Sequence, residues 1–439
     1  MFHYYLKLGV RNLRRNPVLT ALMIVTLAIG VAASVSTLTI LHVMSGNPIP
    51  HKSERLVVPV IDNGLALNHT PGARPPDAKI TYKDAENLLR AGFGKRRTAM
   101  YDVLGAVEPA RRDMPVVEVR GIAAGGDLFA MFDIPFLHGG GWSAQADKAG
   151  SYTVVLSRKT SEKLFGTVNP VGQKIRLFSQ EFEVTGVLDT WNPVPRFVNV
   201  LNASGGSFSG EEDIYVPLQT AVNLQVPSNG GSSCMQGGPG RGFEGRLQSE
   251  CTWIQFWYEL DSSSQVADLR SHLDGYTAEQ KKLGRFERTD TNRVYDVMEW
   301  LDYLQIVRSD SKVTVWLAFG FLMLCLVNTM GLLLAKFSVR ASEVGVRRAL
   351  GATRRTIFAQ FLIETGVIGI AGGALGLVLS LAALWAIGLQ SKEMSAVASM
   401  DWMMLVVAIA LAIGASILAG LLPTWRACQV TPAIQLKSQ

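Results

Sequence analysis

Four stretches of this chain are long, apolar and almost free of charge, and a water-soluble domain has no place for four of them. They span residues 18–44 (VLTALMIVTLAIGVAASVSTLTILHVM), 313–335, 357–389 and 402–422. An α-helix rises about 1.5 Å per residue and the hydrocarbon core of a bilayer is about 30 Å deep, so roughly 20 such residues cross it. A buried helix of a soluble protein is usually shorter and shows a polar stripe. A secretory leader has a shorter apolar part, followed by a small-residue cleavage site that is not well placed after the first run. The chain as a whole is 48% hydrophobic, a fraction that would decide nothing by itself. Between the first and second runs lie residues 45–312, of mixed composition and long enough for one or two globular domains.

Charge orients the spans. Residues 1–17, 336–356 and 423–439 together hold 12 bases and one acid, Glu343. The positive-inside rule therefore places both termini and the 336–356 loop in the cytoplasm, and residues 45–312 outside. The short link 390–401 also falls outside. The external segment carries 29 Lys/Arg and 32 Asp/Glu, so the basic pI near 9.1 comes from the cytoplasmic edges. That is a topology signal and an attraction to lipid headgroups, not a nucleic-acid footprint. Cys325 lies in the second span and Cys428 in the tail, whereas Cys234 and Cys251 share the external segment. An oxidising compartment lets these two pair across a Gly/Ser-rich loop; two free buried thiols are the alternative.

Residues 1–17 read as an amphipathic helix at the cytoplasmic interface, with Tyr4, Tyr5, Leu8 and Leu13 among the bases. In the external segment RLVVPVI (55–61) and PVVEVRGIA (115–123) read as strands, ITYKDAENLLRA (80–91) as a helix and GDLFAMFD (126–133) as a turn or short helix. From Gly139 the pattern becomes β-rich: SYTVVLS (151–157), QKIRLF (173–178) and EFEVTGVL (181–188), with one helix at KTSEKLFG (159–166). Residues 202–210 and 227–250 read as loops. CTWIQFWYEL (251–260) reads as a strand, SSQVADLRSHLDGY (263–276) as a helix, and 292–312 as a helix entering the second span. The early style returns after the β-rich stretch, so the pattern is that of a domain interrupted by an insertion.

The most specific segment is VRASEVGVRRALGAT (339–353), followed by RRTIFAQFLIE (354–364). Residues 341–350 read as a short helix with Gly351 at its C′ position, and Thr353 can cap the next helix. Val344, Val346, Ala349 and Leu350 give the short helix an apolar side, Arg347 and Arg348 a basic one. Such a helix between two spans could receive a push from a cytoplasmic partner, or merely anchor the loop. The residues alone leave both readings open.

This segment resembles the coupling segment of MacB/FtsX-type permeases, the mechanotransmission class of ABC transporter. The tail GLLPTWRACQVTPAIQLKSQ (420–439), VRGIAAGGDLFAMFDIPFLHGGGWS (119–143) and VVLSRKTSEKLFGTVNPVGQKIRLFSQEFEVTGVL (154–188) resemble the same family in the same order. The implied fold is a membrane protein of four transmembrane α-helices with a large extracytoplasmic α/β domain. Its porter part would occupy about 48–137 and 250–305, and its inserted β-rich part about 138–249. The resemblance makes Ser342, Glu343, Val344, Gly345, Val346, Arg347, Arg348, Ala349, Leu350, Gly351 and Ala352 the contact with an ATPase. Ser342 departs from the basic residue often found there. MacB itself carries an N-terminal ATPase domain, whereas this sequence opens on the permease and contains no G-x-x-x-x-G-K-[ST] phosphate cradle. The resemblance thus implies ATP and Mg bound by a separate ABC ATPase dimer, and a second permease copy or a paralogue beside this one. It also implies an inner-membrane location, with a membrane-fusion adaptor and outer-membrane channel as further partners. The implied work is efflux of a peptide, antibiotic, siderophore or similar amphiphile; lipoprotein release, or control of a cell-wall hydrolase, would use the same mechanics.

Glu364, inside the third span, needs a cation, and Arg354 or Arg355 are the bases nearest in sequence. Gly369-x-x-x-Gly373 and Gly372-x-x-x-Gly376 permit close helix approach, within the chain in preference to between copies. Trp253, Phe256, Trp257 and Tyr258 read as strand core ahead of a cargo surface. The six histidines lack metal-ligand spacing, and no nucleophile motif is present, so a non-catalytic subunit is expected.

Overall fold

The computed structural model describes residues 16–66, 78–108, 115–166, 169–201, 207–208, 210–234, 237–288, 292–307, 309–390, 395, 397–398 and 400–427, the backbone alone at 309, 341, 342 and 427. The expected interfacial helix and cytoplasmic tail lie outside these residues, apart from their inner ends. The chain forms two compact units, Gly46–Ile306 and the pair Met1–Ser45 with Val307–Gln439.

The second unit opens with α1 (Pro17–Met44), where Pro17 stands at a first-turn position whose N–H has no helical partner in any case. The hydroxyls of Ser36 and Thr39 donate back to the carbonyls of Ala32 and Val35, so these polar groups are satisfied inside the helix.

The external unit follows, with β1 (Leu56–Val60) and α2 (Tyr82–Ala91). Thr81 caps α2 by accepting from the Asp84 N–H, and Gly92 ends it at φ 75°. Then come β2 (Arg96–Glu108), β3 (Val117–Ala124), α3 (Leu128–Met131), β4 (Phe136–Gly139), α4 (Ala144–Lys148), β5 (Thr153–Leu156), α5 (Arg158–Phe165), β6 (Lys174–Leu177), β7 (Gln180–Leu188), β8 (Ile214–Pro217) and α6 (Leu218–Asn223). The unit ends with β9 (Ser233–Cys234), α7 (Gly242–Leu247), β10 (Cys251–Thr252), β11 (Gln255–Glu259), α8 (Val266–Lys282), β12 (Arg293–Asp296) and α9 (Val297–Tyr303).

Ten strands form one sheet in the order β12-β1-β11-β2-β3-β8-β5-β7-β4, and β6 pairs with both β2 and β7. That double pairing closes β2, β3, β8, β5, β7 and β6 into a six-stranded ring. Val103, Val119, Leu156, Leu177, Phe182 and Ile214 belong to the buried core it shares with one face of the open sheet. On the same face, Leu269 and Leu273 of α8 and Leu88 of α2 cover Tyr101, Phe256 and Tyr258. The other face buries Phe132, Phe197, Trp257 and Trp300.

The inserted strands therefore share β2 and β3 with the porter-like sheet and form no separate layer. Further features differ from the sequence reading, among them β9 and α7 inside the 227–250 stretch expected to be loop. β2, with thirteen residues, was not foreseen. Residues 293–296 form an edge strand on β1 and not the start of a helix, consistent with the alternation Arg293-Val294-Tyr295-Asp296. CTWIQFWYEL splits, with Cys251–Thr252 pairing Ser233–Cys234 and Gln255–Glu259 joining the large sheet.

The chain then forms α10 (Ser309–Val339), α11 (Ala341–Ala349), α12 (Arg354–Gly388) and α13 (Trp402–Ala427). α1, α10, α12 and α13 are each long and apolar enough to cross a membrane. In hydrocarbon a helix is the form that satisfies every backbone group within its own segment. α1 packs against α10 and α12, and α13 against α10 and α12. α13 continues through Pro423 to Ala427, past the expected exit at 422.

Candidate functional site: the segment between the second and third spans

One residue, Arg340, separates α10 from α11. It is the N-cap residue of α11, and its carbonyl accepts the Val344 N–H. Leu350 closes the helix and Gly351, at φ 101°, reverses the chain in a conformation that penalises a Cβ. Thr353 then caps α12 by accepting from the Thr356 N–H. Val344 is the apolar anchor of α11, buried with Met23 of α1, Leu333 and Phe337 of α10 and Ile357 and Phe361 of α12. The opposite face is open: Val346 is 56% exposed and Leu350 83%. Arg347 donates to Glu343 (2.6 Å) and to Gln360 of α12 (2.9 Å), spanning α11 and α12. The backbone of Ser342 lies in the first turn.

Glu364 is wholly buried in protein and holds two cations. Lys336 Nζ lies 2.8 Å from Oε1 and is itself wholly buried, and Arg340 Nη1 lies 3.2 Å from Oε2. Lys336 and Arg340 are one helical turn apart, so they face the same side of the chain as α10 gives way to α11. The expected partners Arg354 and Arg355 are not in contact with it. They stand nine and ten residues earlier on the same helix, about 14–15 Å away along its axis. The signal that would have found the pair is two bases at i, i+4 ending one apolar run, with an acid inside the next.

The glycines are used within the chain. A Cβ on Gly373 would lie 2.8 Å from the Ala412 Cβ, and one on Gly369 would overlap Ser416, both in α13. On the other side of α12, Gly372 and Gly376 accommodate Leu27, Ala28 and Val31 of α1. Such close approach substitutes dispersion contacts for the hydrophobic drive that lipid does not supply.

In the external unit Cys234 and Cys251 are bonded, Cα atoms 4.2 Å apart. Trp253, Phe256, Trp257 and Tyr258 are all buried as core. Arg285, after α8, joins Asp84 of α2 (2.9 Å) and Glu250 beside the disulfide (2.9 Å), fastening three segments. On β2 the buried Asp102 carboxyl accepts from the Asn199 Nδ2, and among the described residues Asn199 Oδ1 has no hydrogen-bond partner. Burial pushes the Asp102 carboxyl up to about 7, and the nearby Glu212 adds to the rise; Asn199, Arg196 and Lys79 oppose it. Among the described residues no cluster of His, Cys, Asp and Glu could hold a metal ion.

Four helices able to cross a membrane, a large α/β unit between the first two and a short exposed helix between the second and third define a polytopic membrane protein. Its family is that described as "MacB-like periplasmic core domain", which matches residues 20–275, and the chain belongs to it; "FtsX-like permease C-terminal" matches residues 315–432. The chain is thus a MacB/FtsX-like ABC transporter permease of the inner membrane with a periplasmic domain. It is 27% identical to a macrolide export ATP-binding/permease protein MacB of Rhodopirellula baltica, over 51% of this chain and 32% of that one. It is 23% identical to a MacB of Hyphomonas neptunium over 99% of this chain and 60% of that one. It is 24% identical to a pyoverdine export ATP-binding/permease protein PvdT of Pseudomonas syringae pv. tomato, over 71% and 41%. The chain thus spans from a third to three fifths of these curated relatives. The crystal structure of the periplasmic region of MacB from Actinobacillus actinomycetemcomitans aligns with 58% of this chain and 95% of its own, at 12% identity and a TM-score of 0.37.

Proposed function

We propose that this chain couples ATP hydrolysis in a separate ABC ATPase dimer to movement of its periplasmic domain, and so drives export of an amphiphilic small molecule or peptide. The observation that carries this reading is α11, a short helix pinned by Val344 on one side and presenting Val346 and Leu350 on the other. Exposed leucine and valine flanked by arginines suit an apolar pocket with an acidic rim. ATP and Mg belong to the ATPase, whose closure pushes α11. The arrangement of bases supports a cytoplasmic position for α11 and both termini. The spans pass the push outward, and the periplasmic domain hands cargo to an adaptor and outer-membrane channel. Macrolide and pyoverdine export, named for the relatives, support a cargo of this class. A second permease, identical or paralogous, completes the pair facing the two ATPase subunits.

The test is a detergent pull-down of the full-length permease with candidate ABC ATPase subunits from the same genome. Wild type retains the ATPase, and Glu343→Ala/Leu350→Asp reduces retention at least tenfold while the permease still inserts. Undiminished association of the double variant would move the docking surface elsewhere. Absence of any ATPase partner for wild type would overturn the transporter reading.

A further inference from the structure

α11 is fastened to the spans by apolar and by charged contacts. Its apolar anchor is Val344, and Arg347 reaches Gln360. Apolar contacts alone permit a helix to slide by small steps, because dispersion is non-directional. The charged contacts are directional, and they sit at the joint: Arg340 is at once the N-cap residue of α11 and a ligand of Glu364. Lys336, one turn earlier in α10, holds the same carboxylate. A shift of one helical turn between α10 and α12 would break both ion pairs and strip the wholly buried Glu364 and Lys336 of each other.

We propose that Glu364 is a positioning residue: through Arg340 and Lys336 it fixes the N-terminal end of the coupling helix to the third span, so that α10, α11 and α12 move as one body. This rests on α11 being the helix that docks the ATPase. It assigns Glu364 no contact with the ATPase, with cargo or with a transported proton. A buried ionic cluster that sets register is a recognised use of such groups, whereas a well-packed apolar replacement preserves or raises stability. The two roles can therefore be separated.

The experiment uses the full-length permease with its ATPase in lipid nanodiscs, in a Cys325→Ser/Cys428→Ser background. Spin labels are placed through Ser338→Cys on α10 and Ile370→Cys on α12, both exposed and both outside the docking helix. Two variants are compared with this reference: Glu364→Gln, and the fully apolar Glu364→Leu/Lys336→Leu/Arg340→Leu. The second removes every buried charge and guards against a simple folding failure. The reference gives one narrow distance with and without ATP. The apolar variant is expected to keep ATPase affinity within about threefold but to broaden the distance distribution at least twofold and lose at least tenfold in permease-stimulated ATP hydrolysis. A narrow distance and full permease-stimulated ATP hydrolysis in the apolar variant would overturn the proposal while leaving the docking reading intact. Loss of ATPase binding in that variant would also overturn it, since the charges would then serve docking. Failure of the reference itself to bind the ATPase removes the docking reading, and the proposal with it.

Discussion

Asp102 makes the stability of the periplasmic domain depend on pH in a direction opposite to that of an ordinary surface carboxylate. Its carboxyl titrates at about 7 in the fold, against a usual value of 3.8, chiefly because burial disfavours the charge. The group is protonated in the fold but ionised in the unfolded chain between about pH 4 and 7. The unfolded state then binds fewer protons, so stability falls as pH rises through that window and levels off above it. Three pH units at about 1.4 kcal/mol each give a loss of roughly 4 kcal/mol. Asp102→Asn removes the titration and keeps the shape, and its new NH2 can donate to Asn199 Oδ1, which has no partner among the described residues. Hydrogen exchange on the full-length protein in nanodiscs, corrected for intrinsic rates, reads this out in peptides covering β2. Wild-type protection should drop several-fold to tenfold per unit from pH 5 to 7, relative to Asp102→Asn, and run parallel to it from 7.5 to 8.5. Other groups titrate here, Asp147 with a raised value and Glu250 with a lowered one, and the difference between the two proteins cancels them. Equal pH slopes for wild type and Asp102→Asn would refute the reasoning.

Three other perturbations have definite outcomes. Gly373→Leu drives a side chain into Ala412 and should separate α12 from α13, cutting folded yield and lowering the melting temperature in detergent by several degrees; Gly331→Leu, with open space around it, should leave both unchanged. Cys234→Ser/Cys251→Ser opens a loop of 17 residues and should cost about 3 kcal/mol in urea unfolding monitored by tryptophan fluorescence. Arg285→Met leaves the buried Asp84 carboxylate without its cation and should cost about 3–5 kcal/mol in the same assay, with Asp84→Asn recovering part of it.

The spans were legible because length and apolarity act locally, each helix satisfying its own backbone. α11 was legible because Gly351 and Thr353 punctuate it on one side and the end of an apolar run on the other. β2 was not, because Arg96, Arg97, Asp102 and Glu108 interrupt any alternation, and because its partners come from positions as distant as Tyr258 and Leu177. The same non-locality hid the cations of Glu364: the bases adjacent in sequence lie too far along the helix, and those that reach it come from the preceding helix. Asn199 and Glu212 likewise meet Asp102 only because the chain returns over β2 some hundred residues later.

The length of β2 has a mechanical consequence. Its first five residues are laced to β11 and its last two to β6, while Met100–Val107 are laced to β3. One continuous strand is therefore a member of both the open sheet and the closed ring. A load applied to the sheet reaches the ring as shear along these ladders, where many hydrogen bonds resist at once and none can be peeled singly. The porter-like and barrel-like parts behave as a single casting, and flexing between them has no seam along which to begin.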